Sequence, residues 1–306
     1  MPIILGENRY GKAETHVVRI TKDGPNHGIK DLSVSIALSG EMSDVHLSGD
    51  NAAVLPTDTQ KNTVFAFAQK YGIETAEHFA VLLAQHFVDS QATIHHARVE
   101  VAEFAWDRIE PWAGRPRPDG AEREHGHSFV RSGRETRTVI VHCDGDRTHV
   151  VSGLRDLVVL NSTASEFHGY IKDEYTTLPE TRDRVLATAV TAQWRHAQSD
   201  NAEIRSVDFD GEYDVARASL LDAFADTYSL SLQQTLYAMG TRMIDECTDV
   251  CEVRLALPNR HHFAVDLSPF GMQNPNETFY AADRPYGLIE GTVLREDAPP
   301  AGPAWS

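Results

Sequence analysis

Twice along this 306-residue chain the apolar residues run through the same order of spacings: segments alternating every second residue, two stretches at helical spacing, then alternation again. Such a repeat restricts the fold strongly. Each alternating pair reads as an antiparallel hairpin with one apolar face, and the helical stretches supply the cover for that face. In the first half Leu32, Val34, Ile36 and Leu38 alternate with Ser33, Ser35 and Ala37, and a strand at 15–20 precedes them. Asp23, Gly24, Pro25, Asn26 and Gly28 reverse the chain between the two. Helices follow at 57–70, with Thr57 or Asp58 as N-cap, and at about 74–90, where Ala76, Phe79, Ala80, Leu83 and Phe87 form one stripe. A long strand is expected over 92–109, with further strands at 127–131 and 137–143. The Gly-, Pro- and charge-rich segment 112–126 reads as an exposed loop.

The second half gives strands at about 148–160 and 185–197 and helices at about 212–227 and 231–245. Leu232, Leu236, Met239 and Met243 fall at helical spacing in the last of these. Two closing strands carry Val253, Leu255 and Leu257, then Phe263, Val265 and Leu267, with Pro258 to Arg260 as the turn between them. The expectation is a duplicated α+β chain, 1–145 and 146–306, each half an antiparallel sheet with its helices on one face. The many apolar strand residues favour oligomerisation as cover for the other face.

Composition narrows the function. Acidic residues outnumber basic ones 45 to 28, for a formal charge of -17, which argues against nonspecific nucleic-acid binding. An anionic substrate would need a few well-placed donors, so individual arginines in a pocket gain interest. Three cysteines, Cys143, Cys247 and Cys251, are too few for a disulfide framework, and a reducing cytoplasm fits them. Cys247 and Cys251 at i, i+4 read as buried small apolar groups on one helix face. No stretch has the length and apolarity of a membrane span, and the start has no export pattern. His95 and His96 form a pair without convergent partners, so no metal is expected.

Chemistry is concentrated in four segments: YGK at 10–12, PTDTQKNT at 56–63, STASEFHGYIKDEYTTLPETRDRVLAT at 162–188, and SLQQT with LPNRHHF at 231–235 and 257–263. Together, and in this order over roughly residues 9 to 295, they resemble the motifs of the urate oxidase (uricase) family. The FxGxxxDEYTTLxETxDR pattern is the most specific of them. That resemblance implies two tandem tunnelling-fold (T-fold) units per chain and a tunnel-shaped barrel in a homotetramer, with active sites shared between subunits. It implies oxidation of urate by O2 and water to 5-hydroxyisourate and hydrogen peroxide, with no cofactor.

It also implies roles for particular residues. Phe167 is the stacking face, Arg184 forks onto one pyrimidine edge, and Gln233 presents its amide to the other. Leu232 adds a backbone amide. Thr57 and the Asp58 amide meet the opposite edge, and Asn259 holds oxygen or water above the ring. Lys12, Thr57 and His261 are the catalytic relay. Lysines serve as bases near neutral pH where burial or a cationic neighbour lowers their usual pKa of about 10.4. Strand alternation sends His261 and His262 to opposite faces, so one of them is expected in the site, and the family pattern selects His261, two residues after Asn259. Arg184 is chosen over Arg182 by its spacing from Phe167. The ending AGPAWS lacks the Ser-Lys-Leu peroxisomal address of eukaryotic members, which points to a bacterial cytoplasmic enzyme. The competing readings are another T-fold enzyme acting on a purine or pterin, of the cyclohydrolase kind, and a noncatalytic purine-binding protein.

Overall fold

The computed structural model describes residues 2–110 and 126–306; the loop expected at 112–126 lies, but for Gly126, outside the described residues. In chain order the elements are β1 (Tyr10–Thr21), β2 (Gly28–Gly40), α1 (Ser43–Leu47), α2 (Thr57–Lys70), α3 (Ala76–Ser90), β3 (Ile94–Glu103), β4 (Trp106–Arg108), β5 (Phe129–Arg131), β6 (Thr136–Cys143), β7 (Thr148–Asn161), β8 (Leu186–His196), α4 (Asn201–Ile204), α5 (Phe209–Asp226), α6 (Leu232–Glu246), β9 (Val250–Ala264) and β10 (Phe279–Leu294). Two compact units result. The first comprises residues 1–152, 198–209 and 301–306, and the second 153–197 and 210–300.

In the first unit the strand order is β1-β2-β3-β6, and the pairs β1β2, β2β3 and β3β6 are antiparallel. Helices α2 and α3 cover one face, α2 against β1 and α3 against β3 and β6. The alternation of β2 is obeyed to the letter: Leu32, Val34, Ile36 and Leu38 are all buried. The α3 stripe Ala76, Phe79, Ala80, Leu83 and Phe87 is buried beneath them, each large side chain contributing roughly 1.5–3 kcal/mol. Thr75 caps α3 by accepting from the His78 amide. Neither Thr57 nor Asp58 caps α2; its N-cap is Pro56, without a side-chain bond, so Thr57 is the first helical residue and its hydroxyl is not spent on capping.

One carboxylate is sealed inside this unit. Glu77, in the first turn of α3, has a fully buried side chain that takes Arg137 as a fork, Nε to Oε1 at 3.1 Å and Nη2 to Oε2 at 2.7 Å. Ser152 Oγ donates to the same Oε1 at 2.9 Å. The expected long strand 92–109 is interrupted after Glu103: the Phe104 amide still donates to Asp31 O in the register of the sheet, and the chain resumes as β4, which pairs with β5 in a separate ribbon. The buried Asp31 carboxylate accepts Trp106 Nε1 at 2.8 Å and Arg131 Nη1 at 3.0 Å and so fastens both strands of that ribbon.

On the opposite face of the same sheet His96 and His142 are in ring contact, Nε2 to Nδ1 at 3.1 Å. Burial pushes His142 down to about 3, with the charges of His96 and Arg98 next in effect, and burial also lowers His96. A histidine with a depressed folded pKa binds its proton only in the unfolded chain between that value and about 6.5, so stability rises with pH across this window. Urea unfolding from pH 6.5 downward is therefore expected to lose stability at up to about 1.4 kcal/mol per pH unit from this group. His142→Gln should flatten that slope. An unchanged slope would show that the pair is not the titrating element.

In the second unit the order is β7-β8-β9-β10, and the pairs β8β9 and β9β10 are antiparallel. Helix α6 packs on β9 and β10, with Leu232, Leu236, Met239 and Met243 buried in register with their helical spacing. Arg295 closes its far end by donating to the carbonyls of Cys247 and Val250 and, more tightly, Ile244. The cysteine pair does not share a helix: α6 ends at Glu246, and Cys251 belongs to β9, though both thiols are buried. The closing hairpin also differs from expectation. Residues 258–260 are not a turn, because β9 runs unbroken from Val250 to Ala264 and pairs with 279–294. A proline inside a strand forfeits one ladder bond, yet Thr188↔Asn259 and Thr191↔Ala256 keep one register on either side of Pro258. No described helix is long and apolar enough to cross a membrane.

Candidate active site

Six of the residues singled out in the sequence line one cavity of about 520 Å3 in the second unit: Phe167, Arg184, Leu232, Gln233, Asn259 and His261. Three segments bring them there. Phe167 and Thr181 exchange backbone hydrogen bonds, 2.8 Å and 3.0 Å, so that 163–170 lies antiparallel to 180–184. The Arg184 amide then bonds Ser165 O and its Nε donates to Ser165 Oγ at 3.1 Å, which leaves the rest of the guanidinium free to fork and sets its carbon 5.3 Å from the Phe167 ring centre. Burial lowers the Arg184 pKa. The Phe167 ring also stacks with Tyr170 at 4.9 Å and 18°.

The start of α6 supplies the second segment. Ser231 accepts the Gln234 amide and the Gln234 side chain accepts the Leu230 amide, a near-reciprocal cap. Gln234 is thereby occupied. Gln233 remains exposed to the cavity beside the unpaired first-turn amides of Leu232 and Gln233. The third segment is β9, where Asn259 and His261 sit two apart and share a face. His261 stacks on Phe263 at 5.7 Å. Burial first, then the Arg184 charge and His262, lower the His261 pKa below the ordinary 6.5, so the ring is neutral and able to take a proton at pH 7.

His262, to which alternation gave no place in the site, also lines the cavity. Asp183 was overlooked too. Its carboxylate accepts Thr163 Oγ1 and Asn276 Nδ2, at 2.7 Å and 2.9 Å, which ties the 265–278 connection to the segment carrying Arg184. Nothing in the local sequence marks that long-range tie.

Lys12, Thr57 and Asp58 belong to the first unit. Lys12 is on β1 and the other two open α2. Asp58 is held below the usual carboxylate range by its hydrogen bond to Lys61 and that residue's charge, with a smaller contribution from Lys12. His95 pairs with Glu41 and His96 with His142; among the described residues no three His, Cys, Asp or Glu side chains converge as a metal set.

The chain is thus an α+β protein whose cavity offers an aromatic face, a guanidinium and a side-chain amide, groups suited to a flat, anionic heterocycle. Known proteins specify it further. The sequence profile of the uricase family matches residues 8–142 and 150–290. Uricase from Arthrobacter globiformis is 46% identical over 304 residues, covering 99% of this chain and 94% of the relative. Uricase from Oryctolagus cuniculus is 36% identical over 293 residues, covering 94% and 93%. The crystal structure of the Arthrobacter globiformis uricase superposes with a TM-score of 0.91, covering 100% of this chain and 99% of that one. The chain belongs to the uricase family.

Proposed function

We propose that the protein is a urate oxidase, converting urate, O2 and water to 5-hydroxyisourate and hydrogen peroxide in purine breakdown. The observation that carries the reading is the cavity that joins the Phe167 face to Arg184 and Gln233. Urate stacks on Phe167 while Arg184 and Gln233 grip its pyrimidine portion from the ring plane, with the Leu232 amide beside them. Thr57 and the Asp58 amide meet the far edge. Lys12, acting through the Thr57 hydroxyl, takes a further proton from the ring and makes urate a better reductant. Neutral His261 completes the relay, and Asn259 holds oxygen or water over the ring. Two electrons pass from urate to O2, and the hydroxyl at C5 comes from water.

Lys12, Thr57 and Asp58 fall in one unit and the other six in the second; active sites shared between subunits of a homotetramer are what the family resemblance implies. The two separately matched segments support a duplication divided near residue 145. A bacterial cytoplasmic setting accords with the Arthrobacter relative. The deciding experiment adds urate to metal-free protein and follows its ultraviolet absorbance alongside peroxide; persistence of urate would end the enzyme reading.

Arg184 has a separable role. Arg184→Ala is expected to raise KM by roughly 10- to 100-fold, since charge-assisted hydrogen bonds are each worth about 1.5–3 kcal/mol. Because the Arg184 charge also depresses His261, its loss should move the acid limb of kcat to higher pH. An unchanged KM would remove Arg184 from substrate binding.

A further inference from the structure

Strand β1 changes phase in its middle. Its partners on the regular, strictly alternating β2 are Tyr10↔Leu38, Lys12↔Ile36, Thr15↔Val34 and Val17↔Leu32. Leu38, Ile36, Val34 and Leu32 all point into the helix-covered core. Their β1 partners are spaced two, three and two residues apart, so Ala13 and Glu14 together oppose Ser35 alone. This is a β-bulge, and each added residue in a strand reverses which face the next side chain takes. Without it Ala13 would stand opposite Ile36, and Lys12 would turn to the face away from α2. With it Tyr10 and Lys12 face the helices: Tyr10 packs against the core and its hydroxyl accepts the Leu55 amide at 2.8 Å, just ahead of Pro56 and Thr57.

The bulge has a built latch. Glu14 adopts φ of 55°, a left-handed conformation costly to a residue with a Cβ, and its amide donates to Ser35 Oγ at 2.9 Å. Gly11 permits the close approach of the strands before the bulge, since a Cβ there would meet Ile36 O at 1.7 Å. We infer that Ser35 is a positioning residue for Lys12: by holding the Glu14 amide it fixes the bulge that turns Lys12 to the helix face and to Thr57. The inference rests on Lys12 being the base proposed above.

A double-mutant cycle tests it in the intact enzyme, with Ser35→Ala made alone and together with Lys12→Met. Ser35→Ala is expected to lower kcat roughly tenfold, the worth of one good hydrogen bond, with KM within about twofold, and Ser35→Thr should restore most of the loss. In the Lys12→Met background the same change should alter kcat less than about twofold, a non-additivity that a purely structural defect would not produce. An equal fall in both backgrounds, or unchanged kcat in Ser35→Ala beside a crippled Lys12→Met, would overturn the positioning role alone. Full turnover in Lys12→Met would instead overturn the base assignment, and the positioning with it.

Discussion

Lys12→Met is expected to lower urate turnover by roughly 10²- to 10⁴-fold, the range that a positioned acid or base contributes, while KM changes little. Methionine keeps the length and apolar stem of the side chain and removes only the proton acceptor. Three of the groups proposed to hold urate, Phe167, Arg184 and Gln233, lie in the other unit, and Thr57 and Asp58 keep their place at the start of α2. Steady-state loss of urate absorbance gives both constants. Thr57→Ala should fall in the same direction if its hydroxyl carries the proton, and a Lys12→Met enzyme within twofold of the parent would end the relay proposal.

The largest expected stability effect comes from Arg137→Ala. Glu77 then keeps a carboxylate with no exposed surface and loses its forked partner, while the Ser152 hydroxyl still donates to Oε1. Stranding one member of a buried ion pair typically costs 3–5 kcal/mol. Urea unfolding at neutral pH measures it. The paired replacement Glu77→Leu with Arg137→Met, which removes both charges, should recover most of that loss. A fall below about 1 kcal/mol in Arg137→Ala would mean that the pair is not holding α3 to the sheet.

Local pattern carried the reading furthest where one face of an element is uniformly buried. The alternation of β2 and the stripes of α3 and α6 are of this kind, and so is the S-x-x-Q start of α6, which also explains why Gln233 rather than Gln234 reaches the cavity. Pattern failed where a long-range contact overrides it. The first strand was expected to begin at 15 because the bulge at Ala13 and Glu14 interrupts its alternation, though it starts at Tyr10. Pro258 reads as a turn residue until Leu288 of β10 pairs across it. Asp31 fastens the β4β5 ribbon through donors from Trp106 and Arg131, and Asp183 fastens a distant connection; neither tie has a signature in neighbouring residues. The catalytic assignment came from four motifs in register, since Lys12, Thr57 and His261 singly have ordinary structural explanations.

The unbroken run of β9 through Pro258 bears on affinity as well as on topology. Asn259 is laddered on both sides, to Thr188 and Gly287, and His261 is laddered to Ala282. Had 258–260 been a surface turn, arresting those two side chains would have been charged to each encounter with a purine as lost conformational entropy. On a paired strand much of that ordering is completed once, when the chain folds, and an incoming ligand meets groups already at rest.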